Sequence, residues 1–227
     1  MSHLEISLKH SVGHLRLSLA FETSAHLLAI SGPSGSGKTT LINMISGLIK
    51  PDSGMIRING TKVFDSEEKI NIPAHKRRIG YVFQDGRLFP HLNVRSNLVF
   101  GRWFTSREPA IEFQTVVKFL GLESLLSRGV AQLSGGERQR VAIGRAILAA
   151  PELLMMDEPL AALDQDRKND ILPYIERIRD NIKIPIIYVS HSNNEIKFLS
   201  DEIITIKNGK IDNIYLNNRN KNNLLKI

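Results

Sequence analysis

The sequence predicts an α/β fold in which helices alternate with the strands of a wound, largely parallel sheet. A short apolar run at residues 27–30 has the length of a strand buried on both faces, and it leads into a glycine-rich loop and a helical pattern. From Leu133 onward, helical patterns alternate with apolar strands at residues 153–156, 186–189 and 203–206. This alternation is typical of strands joined by crossover helices.

The helical pattern after the loop places Leu41, Ile42, Ile45 and Leu48 on one face. Before the loop, two stretches alternate apolar and polar residues, which indicates a half-buried antiparallel hairpin. Their apolar positions are Leu4, Ile6, Leu8, Leu15, Leu17 and Leu19.

Four other segments have recognisable patterns. Asn59-Gly60 predicts a hairpin turn, and residues 79–83 predict a further strand. Residues 85–128 carry helical patterns broken by glycine and proline, so we expect a helical insert there. The asparagine-rich tail, from about 213 to 227, is predicted to be loosely packed.

Composition limits the classes of protein to consider. With 227 residues, of which 42% are hydrophobic, the chain can build one large core or two small ones. No apolar run approaches the roughly 20 residues that span a bilayer, and the start lacks the apolar stretch of a signal peptide, so we expect a soluble intracellular protein. The absence of cysteine excludes disulfides and thiol chemistry.

The charge balance leaves several partners open. Thirty basic residues against 23 acidic ones give a net charge of 30 − 23 = +7. Such a surplus suits nucleic acid or an anionic membrane surface. The basic residues are spread along the chain, however, which equally fits an ordinary solvated surface.

The glycine-rich loop fits the phosphate-binding pattern G-x-x-x-x-G-K-[ST]. Glycines let successive backbone N–H groups turn toward phosphate oxygens, and the following helix presents its positive end. Lys38 is expected to reach the β- and γ-phosphates and Thr39 to hold Mg²⁺. The alternative is a Gly/Ser turn with a solvated lysine. The predicted nucleotide-binding residues here are Gly32, Pro33, Ser34, Gly35, Ser36, Gly37, Lys38, Thr39 and Thr40.

Two acids follow the apolar strand at residues 153–156. The carboxyl end of a strand is where an α/β sheet places its ligands. Asp157 suits the support of Mg²⁺, and Glu158 suits the orientation or deprotonation of an attacking water. Without the other motifs, exposed acids in a loop would explain the same pattern.

A second glycine motif, residues 133–140 with the sequence LSGGERQR, lies about twenty residues before these acids. Ser134, Gly135 and Gly136 open a predicted helix and offer backbone N–H groups and a hydroxyl to an anion. A glycine-containing helix cap would account for these three residues alone. In order with the loop and the acids, the motif resembles the signature of ABC ATPases.

That resemblance implies a P-loop NTPase with a RecA-like core, an antiparallel β subdomain and a helical subdomain at about residues 85–150, within one domain of residues 1–227. It implies ATP and Mg²⁺ as ligands and a homodimer in which each signature closes on the partner's ATP. Gln84 resembles the glutamine that senses Mg²⁺ and the permease, His191 the histidine that contacts the γ-phosphate, and Asp164 the loop that crosses the dimer interface. The implied metal-site residues are thus Thr39, Gln84 and Asp157. The family's aromatic adenine contact is replaced here by histidines, of which His10 is the candidate.

Residues 72–91 and 156–164 narrow the resemblance to ATP-binding subunits of molybdate importers. It implies transmembrane permease subunits, an extracytoplasmic binding protein, and a peripheral location on the cytoplasmic face of the inner membrane. Tungstate is a possible second cargo. That subfamily usually carries a C-terminal oxyanion-binding domain, which we do not expect within residues 1–227. Another solute importer, an exporter, or a nucleic-acid-associated ABC ATPase are the alternatives, although no direct nucleic-acid contact is expected.

Overall fold

A computed structural model describes residues 2–105 and 111–217, which form two compact units. The first unit comprises residues 2–79 and 185–217. The second comprises the described residues between 80 and 184. The α/β class predicted from the sequence is confirmed.

The first unit is built on a sheet with the strand order β6-β5-β4-β1-β2-β11-β10-β3-β9. Its helices are α1 (Lys38–Ser46) and α6 (Asn193–Leu199), with a 3-10 turn at Ala74–Lys76. Its strands are β1 (Leu4–Val12), β2 (Leu15–Thr23), β3 (Leu27–Ser31), β4 (Ser53–Ile58), β5 (Thr61–Asp65), β6 (Ile70–Asn71), β9 (Ile186–Val189), β10 (Glu202–Lys207) and β11 (Lys210–Leu216).

One part of this sheet is antiparallel, as the alternating sequence predicted. β1 pairs with both β2 and β4, and β4 pairs with β5. The turn between β4 and β5 uses Asn59 (φ 45°) and Gly60 (φ 80°), the two positive φ angles that a type I′ hairpin requires. The predicted hairpin turn is therefore confirmed.

The other part of the sheet is parallel, with β3 between β10 and β9. Residues 27–30 of β3 are fully buried, which explains their unbroken apolar run. Helix α1 follows β3 and buries Leu41, Ile42 and Ile45. It ends at Gly47 (φ 80°), so Leu48 lies beyond the helix and is 56% exposed, contrary to its predicted place on the buried face.

The carboxyl end of α1 is held by Arg77, a side chain that is only 3% exposed. Its Nη1 donates to the carbonyls of Met44 and Ile45 at 2.8 Å, and its Nε donates to the carbonyl of Ile72 at 2.7 Å. A cation at this end complements the partial negative charge of the helix terminus. Burial lowers the pKa of the guanidinium, which remains charged at neutral pH.

Strand β11 corrects the prediction of a loose tail from residue 213. Residues 213–216 belong to β11, which pairs antiparallel with β10 and meets β2 at Lys210↔Ser18. Most of β11 is exposed, including Leu216 at 75%, so backbone pairing rather than an apolar pattern defines it. Residues 218–227 of the predicted tail lie outside the described residues.

The second unit contains the neighbouring strands β7 (Ile79–Val82) and β8 (Leu153–Asp157). Its helices include the predicted insert, of which residues 106–110 lie outside the described part. Leu98 of α2 and Val116 of α3 pack against Gly144 of α4, where a β-carbon would meet Leu98 at 2.7 Å. The helices are α2 (Val94–Val99), α3 (Phe113–Phe119), α4 (Gly135–Leu148) and α5 (Gln165–Asn181), with 3-10 turns at Phe100–Phe104, Glu123–Leu125 and Val130–Gln132.

No helix among residues 2–105 and 111–217 combines the length and the apolar character that a membrane crossing needs.

The pairing of β4 with β1 depends on Gly54 (φ 111°), where a β-carbon would stand 1.9 Å from the carbonyl oxygen of Ser7. We expect Gly54→Ala to lower the free energy of unfolding by about 3 kcal/mol or more, since it adds a backbone clash to an unfavourable φ. Gly13→Ala is the matched control, because Gly13 (φ 56°) has open space around it. Gly13→Ala should lower the free energy of unfolding by only about 1 kcal/mol, because the left-handed conformation is its only unfavourable feature. Urea unfolding measures both, and equal losses would contradict the clash.

Candidate nucleotide-binding site

The glycine loop between β3 and α1 lies against two strands of the first unit. At Gly32 (φ 143°) a β-carbon would stand 2.1 Å from the carbonyl oxygen of Ile206 on β10. At Gly37 (φ 104°) it would meet the Leu17 side chain of β2 at 2.4 Å. The backbone at Gly32 therefore approaches a neighbouring strand too closely for any side chain, whereas Gly37 is favoured chiefly by its positive φ, since the Leu17 side chain could move.

Three residues give this loop the properties of an anion site. The Lys38 side chain is 6% exposed, and its Nζ donates to the carbonyls of Gly32 at 2.9 Å and Pro33 at 3.1 Å. The Ser36 hydroxyl is buried without a hydrogen-bond partner among the described residues. A buried polar group in that state is costly and indicates a missing partner. A β-carbon at Gly35 (φ 76°) would meet nothing within 4 Å, so the loop is open at that position.

A cavity of about 310 Å³ adjoins the loop and the amino end of α1. The helix begins at Lys38 with Gly37 as its N-cap, which leaves backbone N–H groups of the first turn for an external acceptor. The Thr39 side chain is exposed at this end. The cavity is lined by Val12, Leu15, Gly35, Gly37, Lys38, Thr39 and Thr40.

His10, the predicted adenine contact, is not among the residues that line this cavity. His10 Nδ1 lies 3.0 Å from Asp52 Oδ1, and Asp52 Oδ2 also accepts from the Ser11 N–H at 2.8 Å. The apolar side chains that line the cavity are instead Val12, which is 44% exposed, and Leu15. An adenine ring beside the loop would therefore meet aliphatic groups.

His191 lies in the same unit as the loop. β9 pairs in parallel with β3 up to Ile30↔Val189, and the Ser190 N–H donates to the Ile30 carbonyl at 3.3 Å. Parallel strands end at the same edge of a sheet, so the segments after β3 and β9 emerge side by side. His191 is exposed there.

A buried carboxylate holds the segment that carries His191. Glu195 is 4% exposed and accepts hydrogen bonds from the hydroxyls of Tyr188 and Ser190, both at 2.9 Å. Ser190 Oγ in turn accepts from the Ser192 N–H at 3.0 Å. Burial, and then the charge of Glu195, raise the pKa of Tyr188 well above its usual value, so this hydroxyl stays a donor.

In the second unit, Asp157 ends β8 and Glu158 follows it. The Tyr81 hydroxyl of β7 donates to Asp157 Oδ2 at 3.3 Å. Glu158 has φ 45°, a left-handed conformation that is costly for a residue with a side chain. Such outliers concentrate at functional positions, because the surrounding structure must enforce them.

Gln84 lies just beyond β7, where it is exposed. The loop that follows is anchored to α4, since Arg145 donates to the carbonyls of Gly86 at 3.0 Å and Arg87 at 2.8 Å. Gly86 (φ 69°) and Arg87 (φ 41°) both take the left-handed conformation in this tight turn. Gln84 therefore belongs to a segment with a defined backbone path.

The signature residues open helix α4. Ser134 is the N-cap: its Oγ accepts from the Glu137 N–H at 3.2 Å, and the Glu137 carboxylate accepts from the Ser134 N–H at 2.7 Å. This second hydrogen bond is the main cause of the lowered pKa of Glu137. Side chains at Gly135 and Gly136 would meet Leu163 at 3.1 Å and Ile171 at 3.2 Å. The sequence left two interpretations of this motif open, a helix cap and an anion-binding turn. The hydrogen bonds of Ser134 and the glycines at the start of α4 are compatible with both.

A second cavity, of about 380 Å³, adjoins the signature. Ser134 and Gly136 line it together with two basic residues, Arg140 and Arg167, and two acidic ones, Glu137 and Asp170. Asp164 caps the nearby helix α5, as its carboxylate accepts from the Arg167 N–H at 3.0 Å.

The donor set fits Mg²⁺ bound with a nucleotide. The predicted metal-site residues Thr39, Gln84 and Asp157 offer hydroxyl, amide and carboxylate oxygens, the hard ligands that Mg²⁺ prefers. No group of three or more His, Cys, Asp or Glu residues within the described ranges suits a metal ion. Mg²⁺ bound with a nucleotide usually keeps few protein ligands and completes its shell with phosphate oxygens and water.

Sequence reasoning missed three residues that the structure brings to these positions. They are Val12 beside the loop, Glu195 beneath the His191 segment and Tyr81 beside Asp157. Tyr81 and Glu195 sit in ordinary strand and helix patterns, and only the fold shows what they contact. Val12 could have been found from the sequence. It is the last residue before the turn between the two predicted hairpin strands, and it ends β1.

Comparison with protein families gives a match of residues 16–161 to the ABC transporter model. A curated relative, the molybdenum import ATP-binding protein ModC of Mesorhizobium japonicum, is 54% identical over 209 residues. The alignment covers 92% of this chain and 56% of the relative. The chain thus spans little more than half the length of that curated relative.

Solved structures give matches over nearly the whole chain. The cbiO1 protein from Clostridium perfringens, part of the ABC transporter complex cbiONQ, has a TM-score of 0.80 at 26% identity, covering 95% of this chain and 88% of that one. A dimeric structure of a bacterial ABC transporter cassette has a TM-score of 0.75 at 28% identity, covering 95% and 98%.

The aliphatic side chains that line the loop cavity leave the adenine ring of ATP without an aromatic partner there. Because base–aromatic stacking is worth about 1–3 kcal/mol, we expect Val12→Tyr to bind ATP about tenfold more tightly than the parent chain. His10→Ala should leave ATP affinity unchanged. Equilibrium titration with a fluorescent ATP analogue measures both variants. A large loss in His10→Ala without a gain in Val12→Tyr would instead assign the adenine contact to His10.

Proposed function

We propose that this chain, which belongs to the ABC transporter family, binds and hydrolyses ATP and drives a membrane permease as one half of a dimer. The observation that carries the proposal is the glycine loop of the first unit. There Lys38 and the amino end of α1 provide a cation and backbone N–H groups beside one cavity, and the neighbouring Ser36 hydroxyl is buried without a partner among the described residues. Together these groups suit a polyphosphate.

All predicted site residues except His10 have a role in this proposal. Residues 32–40 hold the phosphates, with Lys38 exchanging its loop carbonyls for the β- and γ-phosphate oxygens. Thr39, Gln84 and Asp157 hold Mg²⁺, which when bound neutralises charge on those oxygens. Glu158 orients the attacking water and accepts its proton as the water adds to the γ-phosphorus and ADP leaves.

His191 donates a hydrogen bond to the γ-phosphate. Its place at the same sheet edge as Gly32 supports this role. The hydrogen bonds that Glu195 accepts from Tyr188 and Ser190 support it further, because they fix the segment from which the imidazole extends.

The signature motif supports the dimer. Ser134, Gly135 and Gly136 present the amino end of a 14-residue helix, and the cavity beside it is lined by Arg140 and Arg167 as well as by Glu137 and Asp170. An anion held there would be the γ-phosphate of ATP bound to the partner subunit. A symmetric dimer would then contain two such composite sites.

An exposed aromatic cluster in the second unit is our candidate for the permease contact. The Phe100 ring lies 4.0 Å from Phe89, 5.4 Å from Trp103 and 5.3 Å from Phe104, measured between centroids. Trp103 is 63% exposed and Phe104 77% exposed, which marks an interaction surface. One member of the cluster, Phe89, follows Gln84 by five residues. A permease bound there would hold the chain at the cytoplasmic face of the membrane.

We propose molybdate, and tungstate as a similar oxyanion, as the transported solute. The support is the identity of 54% with a molybdenum import ATP-binding protein. Selection of the ion would fall to the permease and to an extracytoplasmic binding protein.

Two variants separate phosphate binding from the chemical step. Lys38→Ala should weaken ATP binding, whereas Glu158→Gln should retain ATP binding and lower kcat by about 10²- to 10⁴-fold. Glu152→Gln is the matched control, as it alters a glutamate just before β8 and should hydrolyse ATP normally. Phosphate release and nucleotide titration are the measurements. Normal turnover by Glu158→Gln would contradict its role as the base.

The solute is tested in cells. Deletion of the gene should abolish uptake of labelled molybdate at low external concentration and lower the activity of molybdenum enzymes. The parent gene should restore uptake and the Glu158→Gln gene should not, because transport needs hydrolysis. Unchanged molybdate uptake with loss of another solute, or of an exported one, would contradict the choice of molybdate and leave the ATPase proposal standing.

A further inference from the structure

Tyr81 makes a contact that the proposed roles do not use. Its hydroxyl reaches from β7 to the carboxylate that ends the neighbouring strand β8, donating to Asp157 Oδ2 at 3.3 Å. Tyr81 is a half-buried side chain within the second unit. The contact therefore joins the ends of two adjacent strands at the carboxylate proposed to hold Mg²⁺.

The ring that carries this hydroxyl is held by its neighbours. Tyr81 stacks on Phe83, two residues further along the chain, with centroids 4.1 Å apart and planes inclined by 25°. The Arg87 guanidinium lies 4.0 Å from the centre of the Phe83 ring. Arg145 of α4 fixes the backbone at Arg87 by donating to its carbonyl at 2.8 Å. A hydroxyl on so constrained a ring has a defined position.

The orientation of a carboxylate matters for a metal ion. The terminal torsion of an aspartate is broad, so an unrestrained carboxylate samples many orientations. Hydrogen bonds from outer-shell groups orient metal-binding carboxylates, and their removal typically costs about 10- to 100-fold in metal affinity. A tyrosine that only packed in the core would need its ring and not its hydroxyl.

We propose that Tyr81 is a positioning residue that orients Asp157 and thereby sets the Mg²⁺ concentration at which the chain works. This inference rests on the proposed function, in which Asp157 supports Mg²⁺. Tyr81 itself need not touch the metal or the nucleotide. Phe83 and Arg87 contribute by holding the tyrosine ring.

The test is Tyr81→Phe in the full chain, a change that removes the hydroxyl and keeps the stacked ring. We expect the Mg²⁺ concentration for half-maximal ATP hydrolysis to rise about 10-fold. The rate at saturating Mg²⁺ should approach that of the parent, and ATP affinity in EDTA should be unchanged. Tyr215→Phe, which alters an exposed tyrosine on β11, is the matched control and should behave as the parent does.

Metal binding is also measured without turnover. In a Glu158→Gln background, Mn²⁺ bound with ATP is titrated by electron paramagnetic resonance, and Tyr81→Phe should weaken it about 10-fold. Adding Tyr81→Phe to Asp157→Asn should cause no further loss, since the two groups act together. Unchanged metal dependence, additive losses in the double variant, or an equal loss of ATP affinity with and without metal would each overturn the inference. Failure of the parent chain to bind Mn²⁺ with ATP would overturn the proposed function instead.

Discussion

The approach of the Gly32 backbone to the Ile206 carbonyl is the constraint on which the site depends. Since a β-carbon at Gly32 would stand 2.1 Å from that oxygen, the chain leaves β3 along a path open only to glycine. This path brings the loop back over Lys38, whose ammonium reaches the Gly32 carbonyl. The parallel pairing of β3 with β9 then carries His191 to the same edge. A single tight contact in the sheet thus determines where several polar groups lie.

Helix α1 has contacts of opposite kinds at its two ends. Its amino end faces the loop cavity, and its carboxyl end is held by the buried guanidinium of Arg77. Negative charge at the first end and positive charge at the second both stabilise a helix. The nine-residue helix is too short to be stable alone, so these end contacts and its buried face maintain it.

The parts of the fold that sequence reasoning predicted are those whose pattern reflects burial. The strand predicted at residues 186–189 is β9, and the hairpin turn at Asn59-Gly60 is present, because apolar runs and positive φ angles leave local signals. Strand β11 left no such signal, since it is mostly exposed and held by backbone pairing. For the candidate site, motif residues were located by spacing. The contact of Tyr81 with Asp157 was not, because it joins residues 76 positions apart. The burial of Glu195 was not either, because a glutamate in an ordinary helix pattern gives no sign of being buried.

The backbone of Glu158 has a consequence for how this protein can be stabilised. A residue with a side chain at φ 45° raises the free energy of the folded state by about 1–2 kcal/mol relative to a glycine or asparagine that accepts this conformation more readily. Screens that reward thermal resistance alone would therefore favour replacement of this glutamate. If Glu158 is the base, the variants with the highest thermal stability would be variants without ATPase activity. Selection for turnover would then be what retains the strained glutamate.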